Sequence, residues 1–102
     1  MSRERLPNCR PCETIDVVHG GIVYTAGIGR YDDGRIAEVF LNAAKSGTAV
    51  QAIAHDSAVL ISFALQYGAP VEAMRAALAR DADGAATGPV GALLDLLAEG
   101  DR

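Results

Sequence analysis

TAVQAIAHDSAVLISFALQYGAPVEAMRAAL, residues 48–78, encodes two helices and the corner between them. Thr48 is a good N-cap, because its hydroxyl can accept one of the amide protons that a helix start leaves unbonded. Gln51, three residues on, completes a capping box. Val50, Ile53, Ala54, Ser57, Ala58, Ile61, Ala64 and Leu65 then fall on one stripe at helical spacing, with Leu60, Phe63 and Tyr67 as a second apolar strip beside it. One stripe suffices for a surface helix. The spacing therefore predicts a helix buried broadly, between a sheet and other helices or in a subunit interface. Gly68 ends it, as the residue past the last turn. Pro70 opens the next helix at its first position, where a missing N–H costs nothing, and Glu72 suits the positive end of the dipole. Val71, Met74 and Leu78 face inward.

On the C-terminal side, residues 80–88 read as a polar loop containing Gly84 and Gly88. Pro89 opens a third helix, on which Val90, Leu93, Leu94 and Leu97 fit the amphipathic template, and Gly100 closes it. On the N-terminal side the period changes to two. Residues 14–19 alternate weakly, and His19-Gly20-Gly21 supplies the positive φ angles of a tight hairpin. Residues 22–29 place Ile22, Tyr24, Ala26 and Ile28 on one face, and Asp32-Asp33-Gly34 marks a second turn. Residues 35–41 put Ala37, Val39 and Leu41 on one face and Ile36, Glu38 and Phe40 on the other. Residues 42–47 read as a polar loop, and residues 1–12 as a flexible arm ahead of a single domain over 13–99. Strands first and helices after predict an α+β domain: a three-stranded antiparallel meander, then three helices packed on one face, β-β-β-α-α-α.

Composition narrows the function classes. At 102 residues the chain suits one domain with a modest core. Its net charge of −4 argues against extended nucleic-acid binding, which needs a basic surface, while leaving room for a single nucleotide. The charged start MSRERLPN is unlike a signal peptide, and residues 58–65 are too short to span a bilayer, so a cytoplasmic location is expected, with no membrane partner.

Few side chains offer chemistry. Cys9-x-x-Cys12 has the spacing of half a zinc site or of a redox pair; His19 and His55 are the further ligands the chain supplies, and a dimer would supply the cysteines twice. The plain alternative is two thiols on an arm. His55 and Asp56 are adjacent on a helix and point about 100° apart, so they form no dyad with each other. Glu38 interrupts an apolar strand and reads as the outward side of a half-solvated sheet, paired with a neighbouring Arg or Thr. Asn42, Lys45, Ser46, Gly47 and Thr48 precede a helix start, where free amides and a lysine could hold a phosphate, although the glycine spacing of a phosphate loop is missing. Arg30, Tyr31 and Arg35 flank a turn and read as solvated, with the aromatic ring on an arginine stem, or as a partner-contact tip.

The run HGGIVYTAGIGRYDDGRIAEVFLNAAKSG at 19–47, followed by DSAVLISFALQYGAPVEAMRAAL at 56–78, resembles the TSCPD domain. That domain is similar to the C-terminal part of adenosylcobalamin-dependent (class II) ribonucleoside-diphosphate reductases. The likeness covers roughly residues 6–98 and is most specific at Glu38-Val39-Phe40-Leu41 and at 64–70. The Thr-Ser-Cys-Pro-Asp motif itself is absent; the nearest text is Asn8-Cys9-Arg10-Pro11-Cys12-Glu13. The resemblance implies a short member linked to deoxyribonucleotide synthesis. A radical reductase needs a thiyl cysteine, a reducing pair, a cofactor site and a barrel, and two cysteines in 102 residues do not supply them. The expectation is a non-catalytic accessory module that forms a homo-oligomer or docks on a larger protein, with Leu60, Phe63 and Tyr67 as its interface. No cofactor is expected for this chain alone, zinc at Cys9 and Cys12 being the exception to test. The alternative is reductase activity together with other subunits, in which case the resemblance implies adenosylcobalamin.

Overall fold

The computed structural model describes residues 2–6, 12–43 and 48–100. Three strands, β1 (Cys12–His19), β2 (Ile22–Arg30) and β3 (Ile36–Ala43), precede three helices, α1 (Ala49–Gln66), α2 (Val71–Ala77) and α3 (Pro89–Gly100). The strands form one antiparallel sheet in the order β1-β2-β3, so the expected α+β meander is the observed fold.

Register follows from the turns. Gly20 and Gly21 have φ of 59° and 77°, the left-handed values a two-residue hairpin needs, and they set His19 opposite Ile22. From there Val17 faces Tyr24 and Ile15 faces Ala26, while Ala26 faces Leu41 on the next strand. These side chains share the face covered by the helices. Val17, Tyr24, Ala26, Ile28, Val39 and Leu41 are buried there against Ala54 and Ala58 of α1 and Leu93, Leu94 and Leu97 of α3. The alanines matter for geometry: with no side chain beyond Cβ, α1 lies close against the sheet. The face away from the helices is open, with Val18, Val23 and Phe40 exposed on it.

Several elements differ in detail from the sequence reading. β1 begins at Cys12, and Asn42 and Ala43 belong to β3 rather than to a loop. Pro70 occupies the N-cap of α2, with extended φ and ψ of −75° and 147°, one position before the expected one. Gly68, with φ of 99°, is the left-handed residue just past α1, as its sequence position predicts. In the 80–88 segment, Arg80 and Ala86 form an isolated antiparallel bridge that closes a turn around Asp81. Glu38 lies on the open face, as read, yet it is only 7% exposed. It folds across Gly29, where a Cβ would stand 2.6 Å from its Oε2, so the missing side chain of Gly29 makes room for this carboxylate.

Candidate functional site

Helix α1 has two faces with different work. The inner face is more polar than the periodicity suggests. Ser62 Oγ accepts from Val39 N at 2.9 Å, and its single proton can go to Val39 O or Ala58 O, each at 2.9 Å. Gln66, 3% exposed, donates from Nε2 to Ala37 O at 3.1 Å and accepts from Arg3 Nε. Gln51 accepts from Ala43 N and donates to Asn42 Oδ1 at 3.1 Å. The backbone groups bonded are those of residues 37, 39 and 43, the side of β3 that has no strand beside it. Thus α1 closes an open sheet edge with three polar side chains. The edge requirement corrects the predicted stripe: Val50 and Ile53 are exposed, and Gln51, Ser62 and Gln66 take the inward positions beside Ala54, Ala58, Ile61 and Leu65. Thr48 caps the helix, accepting from Gln51 N at 3.1 Å, but the capping box stays half-made because the Gln51 side chain serves β3 instead.

The outer face of α1 carries Ile53, Leu60, Phe63 and Tyr67, exposed by 64%, 70%, 43% and 43%. These positions recur every three, four or seven residues on one side of the helix over about four turns, with exposed Asp56 between Ile53 and Leu60. At its C-terminal end the Arg3 guanidinium stacks 4.4 Å over the Phe63 ring. Residues 2–6 cross here. Glu4 N donates to Gln66 O at 2.7 Å, and the Glu4 carboxylate holds Arg35 through two bonds of 3.0 and 2.9 Å. Arg35 also grips Asp33 at 2.7 Å and lies 4.7 Å from the Tyr31 ring. The Arg35 amide and guanidinium hold the Asp33 carboxyl below its usual range, and burial, then the nearby Glu4 charge, raises the Tyr31 phenol. Tyr31 is 6% exposed, so the turn is packed rather than solvated at that residue. Between this turn and the Gly68-Ala69-Pro70 corner lies a groove of about 360 Å³ with Ile36, Leu65 and Val71 in its walls.

The remaining candidates do not converge. Cys12 is an exposed free thiol at the start of β1, and Cys9 lies outside the described residues. His19 is on the helix-side face, with Nε2 3.0 Å from Ala86 O, and His55 is exposed on α1 beside exposed Asp56. Among the described residues no three His, Cys, Asp or Glu side chains form a group able to hold a metal ion. Of the phosphate candidates, Asn42 is engaged by Gln51 and Thr48 by the helix start, while Lys45, Ser46 and Gly47 lie outside the described residues.

One cluster was missed by the sequence reading. Asp95, the lone charge between Leu94 and Leu96, receives Arg80 through Nη2 at 2.7 Å and Nη1 at 3.0 Å, and Arg75 Nε at 2.9 Å. The two guanidinium groups hold its carboxyl down to about 2. Arg75 also binds Glu72 at 3.0 Å. The cluster ties α2, the 80–86 turn and α3 together. Its sequence signal is a charge inside an apolar run, with arginines 15 and 20 positions earlier.

The open sheet face, the edge-capping helix and the exposed outer strip of α1 belong to one α+β domain. The chain belongs to the TSCPD domain family, whose model matches residues 7–100. It is similar to the vitamin B12-dependent ribonucleotide reductases of Agrobacterium fabrum (strain C58) and Bradyrhizobium diazoefficiens, 41% and 37% identical over 70 residues. That match takes in 69% of this chain and 6% of each relative. The corresponding enzyme of Streptantibioticus cattleyicolor is 34% identical over 70 residues, 12% of its length. The chain therefore spans a small fraction of the curated relatives it matches. No solved structure gives a significant match. Among the described residues, no helix is long and apolar enough to cross a membrane.

Proposed function

We propose that this chain is a non-catalytic accessory domain of deoxyribonucleotide synthesis, and that it works by presenting the outer face of α1 to a ribonucleotide reductase polypeptide. The observation that carries the reading is the Ile53, Leu60, Phe63 and Tyr67 strip. Four large apolar side chains stand in water on a helix whose inner face is already committed to the sheet. Large apolar surface of this kind is kept where it is covered by a partner. Kinship supports the choice of partner, since the chain resembles a small segment of vitamin B12-dependent ribonucleotide reductases. The residues support the non-catalytic part: radical reduction of a ribose draws on more thiols than the two cysteines in the sequence.

The test mixes the purified chain with the vitamin B12-dependent ribonucleotide reductase of the same cell. Co-elution and an altered rate of deoxyribonucleotide formation are expected, both abolished by Leu60→Asp with Phe63→Asp. Unchanged binding in that double variant would overturn the assigned surface. Deoxyribonucleotide formed by the chain alone from a ribonucleotide, a dithiol and adenosylcobalamin would overturn the non-catalytic assignment.

A further inference from the structure

The sheet has two edges, and among the described residues only the β3 edge is closed by another element. The hairpin at Gly20-Gly21 makes His19 and Ile22 a hydrogen-bonded pair, so Val17, Ile15 and Glu13 also spend their backbone bonds on β2. Cys12, Thr14, Asp16 and Val18 then direct their N–H and C=O groups away from the sheet. The same parity carried across to β3 leaves residues 37, 39, 41 and 43 pointing outward. Those include the three residues that Gln66, Ser62 and Gln51 satisfy. Among the described residues no strand or helix performs that service for β1, which ends the sheet.

We propose that a second copy of this chain pairs with β1 antiparallel about a two-fold axis at Ile15, joining two sheets into one of six strands. The sequence of β1 selects this occupant and this register. Backbone parity admits only pairings that set even-numbered residues opposite even-numbered residues. With Ile15 on the axis, Thr14 faces Asp16 of the partner subunit and Glu13 faces Val17 of the partner subunit, so seven residues pair and no like charges meet. Moving the axis to Asp16 sets that carboxylate against its own copy, and moving it to Thr14 leaves only five residues paired. A parallel, in-register pairing sets both Glu13 and Asp16 against themselves. Like charges directly opposite oppose pairing, whereas a hydroxyl beside a carboxylate offers it a proton.

The helix side of the same edge fits a copy as well. Beneath β1 runs a groove of about 400 Å³ lined by Glu13, Ile15, Arg30, Leu96 and Leu97. Glu13 is held back by Arg30 at 3.0 Å, and Leu96 is 42% exposed. Ile15 is the non-hydrogen-bonded position at the axis, where side chains from the two strands approach most closely. The two Ile15 side chains would therefore fill the joined grooves between the paired α3 helices. A two-fold contact of this kind is self-closing and stops at a dimer. It leaves α1, on the far edge of the sheet, free for the proposed reductase contact. The dimer does not rest on that proposal, because the two surfaces share no residue.

Light scattering of the full chain at graded concentrations tests the dimer; the expected mass is about 21 kDa, twice the chain's 10.6 kDa. Position 14 tests the register, since it is exposed on the open face and a change there leaves the core untouched. Thr14→Asp sets two like-charge pairs across the axis and is expected to weaken association about tenfold, while Thr14→Lys, opposite Asp16, strengthens it by a similar factor. In a background of Cys9→Ser and Cys12→Ser, Ile15→Cys is expected to form an intermolecular disulfide under mild oxidation, and Asp16→Cys to form little. A chain that stays monomeric up to about millimolar concentration overturns the proposal. So does a dimer that responds alike to Asp and Lys at position 14, or one that crosslinks through Asp16→Cys in preference to Ile15→Cys.

Discussion

The outer edges of β3 and β1 belong to the same sheet and have opposite fates. At β3, a strand of mostly apolar residues is closed by polar side chains borrowed from a helix. At β1, the exposed positions carry Cys12, Glu13, Thr14, Asp16 and Val18, and the backbone faces outward with no element beside it among the described residues. The difference teaches where this fold spends its buried polar groups. A hydrogen bond adds modestly to stability when it replaces one to water, but a buried amide left unbonded costs about 1–3 kcal/mol. The β3 edge is under α1 and excludes water, so Ser62 and Gln66 are obligatory there. The β1 edge has no helix over it among the described residues, so its outward amides are open to water and need no such partner.

The comparison breaks most sharply at Ser62. Replacing it with Ala removes only the hydroxyl and strands Val39 N and Val39 O under α1. Ser62→Ala is expected to destabilise the fold by about 2–4 kcal/mol, read as a lowered urea midpoint. An unchanged midpoint would show that α1 does not close this edge. On the open face, Gly29→Ala drives a methyl group against the Glu38 carboxylate. A loss of about 1–3 kcal/mol is expected, and Gly29→Ala with Glu38→Ala should recover part of it by removing the obstruction.

The third prediction concerns pH. Asp95 is held at about 2 against an ordinary 3.8, so its folded-state pKa is depressed. The stability it supplies is fully present above its unfolded pKa and is lost as pH falls from roughly 5 towards 2. Its side chain is 28% exposed, so solvent screening trims the contribution to about 1–2 kcal/mol. Asp95→Asn should lower stability by that amount at pH 7 and show a flatter decline between pH 5 and 2. Equal acid slopes in both proteins would remove Asp95 from the account. The smallest effect is expected at the open edge. Thr14→Pro removes an outward amide that has no partner among the described residues, so the stability of the isolated chain should change by less than about 1 kcal/mol, measured at micromolar concentration. A larger loss would mean that the chain itself closes the β1 edge.

Much of the fold was legible because its signals are local. Gly20-Gly21 encodes a turn through φ alone, period two in residues 22–29 encodes a half-buried strand, and Gly68 marks the end of a helix by the same steric rule. The inward face of α1 was read incorrectly for a physical reason. Periodicity scores hydrophobicity, which favours turning Val50 and Ile53 inward. The folded chain instead weighs unpaired backbone groups on β3, so Gln51, Ser62 and Gln66 turn inward and Ile53 is left in water. The Gln51 capping box failed by the same competition. The strip at Leu60, Phe63 and Tyr67 could be seen in the spacing, but its exposure depended on which way the helix rotated.

The sequence by itself determined the element order, the two hairpin turns, the helix corner at 68–70 and the kinship with ribonucleotide reductases, because each is written in short-range patterns or in direct similarity. Tertiary structure alone decided which face of α1 looks outward, that Glu38 is buried across Gly29, that Asp95 gathers Arg75 and Arg80, and which sheet edge is closed. Those outcomes depend on groups 9 to 29 residues apart competing for the same hydrogen bonds and space, a competition that exists only once the sheet and helices have met.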